Sequence, residues 1–159
     1  MKDLATIGVY GADLERFLAT LREAGVDLIL DLRQRRGVRG AEYAWANARR
    51  LEAELAEAGI GYQHLPELAP TTAMREAQYE ADAARHDGKR SRTVISSTYA
   101  RLYTEQILDP ADLEPIVRFI GRSTAALFCV ERDPAACHRS LVAARLAREF
   151  DFRVVNLRA

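Results

Sequence analysis

LREAGVDLILDLR, residues 21–33, passes from the end of an amphipathic helix straight into a short apolar strand, and this junction decides the fold. Upstream, Leu14, Phe17, Leu18 and Leu21 recur at helical spacing, and Gly25 supplies the left-handed residue that ends such a helix. Val26 to Leu32 then reads as a buried strand. The junction recurs: REAGVD (22–27) is matched by AEAGIG (56–61), where Leu51, Leu55 and Ala58 mark a helix, Gly59 stops it and Ile60 to Leu65 is the next strand. No third copy follows, so shared helix-to-strand geometry explains the likeness better than a solenoid repeat. Ala5 to Tyr10 reads as strand one, Ala125 to Val130 as strand four and Phe152 to Leu157 as strand five, with a helix predicted over 134–149. Residues around Tyr99–Tyr103 and Leu113–Ile120 predict two further helices, parted by Asp109-Pro110 and ended at Gly121. The expectation is a three-layer α/β domain over 1–159, with a mostly parallel five-stranded sheet, helices on both faces (Rossmann-like) and right-handed crossovers. The polar stretch 66–93, punctuated by Pro66, Pro70 and Gly88 around a helical piece at Met74–Arg85, reads as a lid or irregular insertion.

Composition narrows the function classes. The 159 residues are 48% hydrophobic, enough for one core, and 23 basic and 23 acidic side chains cancel, so any attraction for nucleic acid has to be local. No apolar run spans a bilayer and no signal-peptide pattern opens the chain, so a cytoplasmic protein without a membrane partner is expected. Two cysteines in a reducing compartment predict free thiols.

Ligands of open parallel sheets bind beyond the carboxyl ends of the strands. Those ends carry Tyr10 after strand one, Asp31 and Arg33 after strand two, His64 and Glu67 after strand three, and Cys129 and Glu131 after strand four. The densest segment is CVERDPAACHRS, 129–140. Asp133 as cap and Pro134 as first residue would place Cys137, His138 and Arg139 in the opening turns of a helix, whose free N–H groups attract anions. There Cys137 is a candidate nucleophile, His138 a proton carrier, Glu131 a general acid or base, and Arg139 an anion clamp. The plainer readings are a core role for Cys129, packing for His138 and ion pairs for the carboxylates. A metal site from Cys129, Cys137, His138 and His64 lacks paired short ligand spacings, so neither a metal nor a cofactor is expected.

In DLRQRRGVRGAEYAWANARR, 31–50, Arg33, Arg35, Arg36 and Arg39 precede Tyr43 and Trp45. Arginines hold phosphate and aromatic rings stack on bases, so the loop suits a nucleotide or single-stranded nucleic acid; its plain reading is a solvated loop with Trp45 in the core. Arg85, Lys89, Arg90 and Arg92 form a further basic cluster, diluted by Asp82 and Asp87 and read as solvated.

TIGVYG (6–11), LILDLRQRRGVRG (28–40), GIGYQHLPELAP (59–70) and FCVERDPAACHR (128–139) together resemble the domain-of-unknown-function 488 family across nearly the whole chain. The resemblance implies an α/β domain of bacterial and archaeal cytosols with motif residues at Asp31, Arg33, Glu131, Cys137, His138 and Arg139. It implies no reaction; repair labels on some members lend weak support to nucleotide or nucleic-acid chemistry. The leading expectation is an enzyme for a phosphorylated or nucleotide-like substrate, an anionic small molecule bound by Asp31, Arg33, Arg36, Arg139, Tyr10, His64 and Glu67. The alternative is a noncatalytic nucleic-acid-binding module built on the 31–50 loop.

Overall fold

In the computed structural model, which describes every residue except Lys89, five strands form one all-parallel sheet in the order β3-β2-β4-β1-β5. The strands are β1 (Lys2–Ile7), β2 (Leu28–Asp31), β3 (Gly61–His64), β4 (Ala125–Phe128) and β5 (Phe152–Asn156). The helices are α1 (Leu14–Glu23), α2 (Ala48–Glu57), α3 (Thr72–Ala84), α4 (Ser97–Tyr103), α5 (Glu114–Ile120) and α6 (Arg139–Phe150). The expected α/β architecture is thereby met. No described helix is long and apolar enough to cross a membrane.

Alternation along the strands divides the core in two. Ala5, Ile7, Ile29, Ala126 and Phe128 face α1, α2 and the 3-10 turn Ala41–Ala46 through Phe17, Leu21, Trp45, Leu51 and Leu55. Leu4, Leu28, Leu30, Ala125 and Leu127 face the opposite layer through Met74, Tyr99, Tyr103, Ile116 and Leu146. Connections running toward β3 therefore cover one face and those running back toward β5 cover the other, as a single hand of crossover requires. The connection after β2 leaves toward the β3 edge, whereas that after β4 leaves toward β5. Their carboxyl ends part at a topological switch point, where a crevice opens.

Both repeated junctions are Schellman caps. Gly25 (φ 69°) donates to the Arg22 carbonyl and Val26 to that of Leu21; Gly59 (φ 76°) donates to Ala56 and Ile60 to Leu55. Each cap turns the chain directly into the next strand.

Strand one lies earlier than its apolar pattern predicts, over 2–7. Pairing with β4 ends at Ile7↔Phe128, and the amides of Val9 and Tyr10 then both donate to the Val130 carbonyl. Lys2 and Asp3 join the strand because β5 pairs beside them, with Arg153 Nε 2.7 Å from Asp3 Oδ1. A Cβ at Gly8 would stand 2.0 Å from the Glu131 carbonyl oxygen, so this crossing of the β1 and β4 exits needs glycine.

The helix predicted over 134–149 is also interrupted. Pro134–Ala136 form a 3-10 turn, Cys137 is extended (φ −138°, ψ 148°), and α6 begins only at Arg139. Asp133 pairs with Arg158 and makes no cap bond. Within 66–93, α3 is a regular helix capped by Thr71, whose hydroxyl accepts from the Met74 amide.

Candidate functional site

Beyond the β2/β4 switch point lies a cleft of about 710 Å³. The segment after β2 contributes Arg33 to Arg35 and Gly37 to Arg39, and the segment after β4 contributes Cys129, Val130 and Glu131. Tyr10 comes from the β1 exit, His138 from the start of α6, and Arg75, Gln78, Tyr79, Arg90 and Arg92 from α3 and the loop behind it.

Two of its arginines are already neutralised. Arg33 is buried and forks onto Asp31, with Nε 2.9 Å from Oδ1 and Nη2 2.8 Å from Oδ2, while Nη1 donates to the Ala46 carbonyl. Its guanidinium also lies 4.8 Å from the Phe128 ring centroid. Tyr62 donates to the same Asp31 carboxylate at 2.5 Å, and burial, followed by that bond, pushes its phenol up to about 12. Arg92 lies between Asp82 (2.7 Å) and Glu131 (2.8 Å), and its Nε donates to the Ala136 carbonyl. Burial by itself would lower the Arg92 pKa, but the two carboxylates outweigh it and the net direction is upward. The basic cluster read as solvated is thus split: Arg92 is an interior strut, Arg90 is an exposed wall residue, and Lys89 lies outside the described residues.

Three of the four remaining arginines keep their charge for the cleft. Among the described residues no carboxylate pairs with Arg35, Arg39 or Arg75; Arg75 instead donates to Gln34 and Tyr79. Arg90 lies 5.3 Å from the Tyr10 ring centroid and 5.2 Å from that of Tyr43, pairs with Glu42 at 3.5 Å and donates to the Arg39 carbonyl at 2.9 Å.

On the floor, the Cys129 thiol lies 3.4 Å from Glu131 Oε2 and 3.9 Å from His138 Nδ1, and Cys137 Sγ lies 3.7 Å from the same nitrogen. Cys129, Cys137 and His138 are buried, and their ligating atoms lie within 4.8 Å of one another, a grouping able to hold a metal ion. His138 Nε2 is 2.9 Å from the Leu32 carbonyl oxygen, which can only accept, so Nε2 carries the proton and Nδ1 turns its lone pair to the sulfurs. Hydrogen bonding to Cys137 and burial push the Cys129 thiol up to about 12. Burial pulls the His138 imidazole down, but Cys129, Glu131 and the Leu32 carbonyl more than offset it and its pKa is raised.

Several residues singled out in the sequence lie elsewhere. Arg139 is fully buried and donates to the carbonyls of Glu131 (2.6 Å) and Arg132 (3.1 Å), a clasp beneath the cleft. The amides that an intact helix start would have offered to an anion are occupied: Ala136 donates to Asp133, Cys137 to Pro134, Arg139 to Cys137 Sγ and Ser140 to the Cys137 carbonyl. His64, on edge strand β3, bonds the Arg33 carbonyl; Arg36 binds Glu52 and Tyr62; Glu67 is exposed on the Pro66–Leu68 turn. None of these four borders the cleft. Trp45 packs on Phe17 in the core, and Tyr43 packs on Tyr10 and Arg90. Arg75 and Tyr79 escaped the sequence reading altogether. They stand one position round α3 from its buried face of Met74, Gln78 and Asp82, with Arg75 part-buried and Tyr79 exposed at the cleft.

An all-parallel α/β domain with a cationic strand-end cleft over a Cys-Cys-His floor is the class that fold and site define. The family model described as Domain of unknown function DUF488 matches residues 13–146, and the chain belongs to that family. No curated protein and no solved structure matches it.

Proposed function

We propose that the protein is an enzyme acting on a phosphorylated or nucleotide-like small molecule bound in the cleft. The observation that carries this reading is the charge arrangement. Arg33 and Arg92 are cancelled by buried carboxylates, while Arg35, Arg39 and Arg75 border the same space without one. The volume of about 710 Å³ falls within the ordinary range for small-molecule sites and suits a mononucleotide-sized ligand better than a duplex. Arg35, Arg39 and Arg75 hold the anion by forked donors, and the reacting part of the substrate lies toward Cys129, Glu131 and His138. The burial of Trp45 and the packing of Tyr43 remove the stacking surface that a nucleic-acid module built on the 31–50 loop would use.

Calorimetric titration with inorganic phosphate, nucleoside monophosphates and sugar phosphates tests the reading. Saturable binding that weakens roughly 10- to 100-fold in Arg35→Ala or Arg75→Ala is expected, since a hydrogen bond to a charged group contributes about 1.5–3 kcal/mol. Once a substrate is in hand, Glu131→Gln should lower its turnover. Absence of binding to all these anions, or equal affinity in both variants, would overturn the reading.

A further inference from the structure

We infer that Cys129, Cys137 and His138 form a mononuclear site for a borderline-soft divalent cation, zinc foremost, with its fourth position open to the cleft. The inference deepens the proposed function by assigning the floor a cofactor, but its geometry does not depend on the substrate class.

The spacing of the donor atoms is the first support. Tetrahedral coordination with ordinary zinc–sulfur and zinc–nitrogen bonds puts sulfur and nitrogen ligands about 3.6 Å apart. Here the two sulfur-to-Nδ1 separations are 3.9 and 3.7 Å. One ion therefore reaches Nδ1 and either sulfur with shifts of a few tenths of an ångström, and the two sulfurs, within 4.8 Å of each other, close toward the roughly 3.8 Å of a tetrahedral site.

The surroundings are the second support. A metal-bound histidine generally donates its other ring N–H to a carbonyl or carboxylate, which fixes the tautomer. The Leu32 carbonyl accepts from Nε2–H, leaving Nδ1 aimed at both thiols. The Arg139 amide points at Cys137 Sγ from 3.5 Å, a donor suited to sulfur bearing negative charge. Two thiolates with one imidazole favour zinc over the hard cations magnesium and calcium.

The open position is the third. Cys129 and His138 border the cleft while Cys137 lies behind them, so three protein ligands close the inner side and the outer side faces substrate. Three protein ligands and one exchangeable position are the pattern of catalytic zinc, whereas structural zinc is closed by four. Glu131, beside Cys129 and held by Arg92, is the nearest carboxylate to serve a water at that position as proton acceptor.

The test is a cobalt titration of the full chain, stripped with chelator and kept reduced. The expected result is a near-ultraviolet sulfur-to-cobalt charge-transfer band that saturates at one equivalent and is abolished by added zinc. Cys129→Ser should reduce the band to about half, since one of two thiolates is lost, and His64→Gln should leave it unchanged. A folded wild-type chain that shows no such band while both thiols titrate as free, or that holds them as a disulfide, overturns the site even where the variants fail to fold. Phosphate affinity of the stripped chain is read separately. A cobalt band without phosphate binding would sink the substrate reading alone, and phosphate binding without a band would sink the metal alone.

Discussion

Arg92→Met removes the cation that lies between two interior carboxylates, and the structure sets the size of the effect. The side chains of Asp82 and Glu131 are 6% and 7% exposed, each within 2.8 Å of the Arg92 guanidinium. Methionine fills much the same volume but takes the cation away from Asp82 in the interior, and breaking a buried pair costs about 3–5 kcal/mol because the partner's charge is left uncompensated. For a chain of this length each kcal/mol moves the melting temperature by about 2–4 °C, so a fall of roughly 6–20 °C is expected. Circular dichroism melts of both proteins at neutral pH and equal concentration read it directly. Adding Asp82→Asn should return part of the loss, because the stranded carboxylate charge is then gone. A melting temperature within about 2 °C of wild type would refute the reasoning, since exposed substitutions change stability by no more than that. The variant also bears on the site: Arg92 ties the loop behind α3 to Glu131 and to the Ala136 carbonyl, so its loss should loosen the cleft wall before the sheet melts.

Three further outcomes follow from the same contacts. Gly8→Ala places a methyl against the Glu131 carbonyl oxygen and should cost about 1–3 kcal/mol in urea denaturation; a neutral effect would mean that the β1 and β4 exits part easily. The Tyr62 phenol, pushed from 10.0 to about 12, is held in its protonated form more firmly by the fold than by the unfolded chain. Its contribution is complete below pH 10 and is lost as pH rises toward 12, by about 1 kcal/mol once solvent screening of a half-exposed group is allowed for. Tyr62→Phe should flatten that part of the stability profile, and an unchanged slope would show that Tyr62 is not its source. Arg139→Lys gives up the fork onto two carbonyls and should cost about 1.5–3 kcal/mol of stability while leaving phosphate affinity unchanged. A tenfold loss of affinity at unchanged stability would make Arg139 a ligand-holding residue instead.

The fold was legible wherever local chemistry and tertiary structure agreed. Gly25 and Gly59 had to follow their helices because a Schellman cap needs a left-handed residue there; the strand after Gly25 is apolar because both faces of the sheet are covered at β2, whereas β3, at the edge, is polar and part-exposed. Strand one slipped by three residues because its ends are set by partners: Lys2 and Asp3 pair with Phe152 and Arg153, while Val9 and Tyr10 turn onto a single carbonyl. Neither event leaves a periodic trace. Arg92 looked solvated because a charge in a polar stretch usually is. Its burial depends on Asp82 and Glu131, 10 and 39 residues away, whose arrival side by side only the folded chain determines.

The floor of the cleft shows how Cys129, Cys137 and His138 converge without short paired spacings. Short Cys/His spacings presuppose that one loop presents its ligands together, and on a continuous helix Cys137 and His138 would point about 100° apart. The chain avoids that divergence by interrupting the helix. The 3-10 turn at Pro134–Ala136 is followed by an extended Cys137, so that Cys137 and His138 both converge on the end of β4, where Cys129 emerges. Arg139 makes the arrangement hold: from the first turn of α6 it reaches back to the carbonyls of Glu131 and Arg132 and closes the segment from 129 to 139 on itself. Cys137, His138 and Arg139 are therefore neighbours in sequence with unlike tasks. The first two supply donor atoms, and the third fixes the loop that brings those atoms to Cys129.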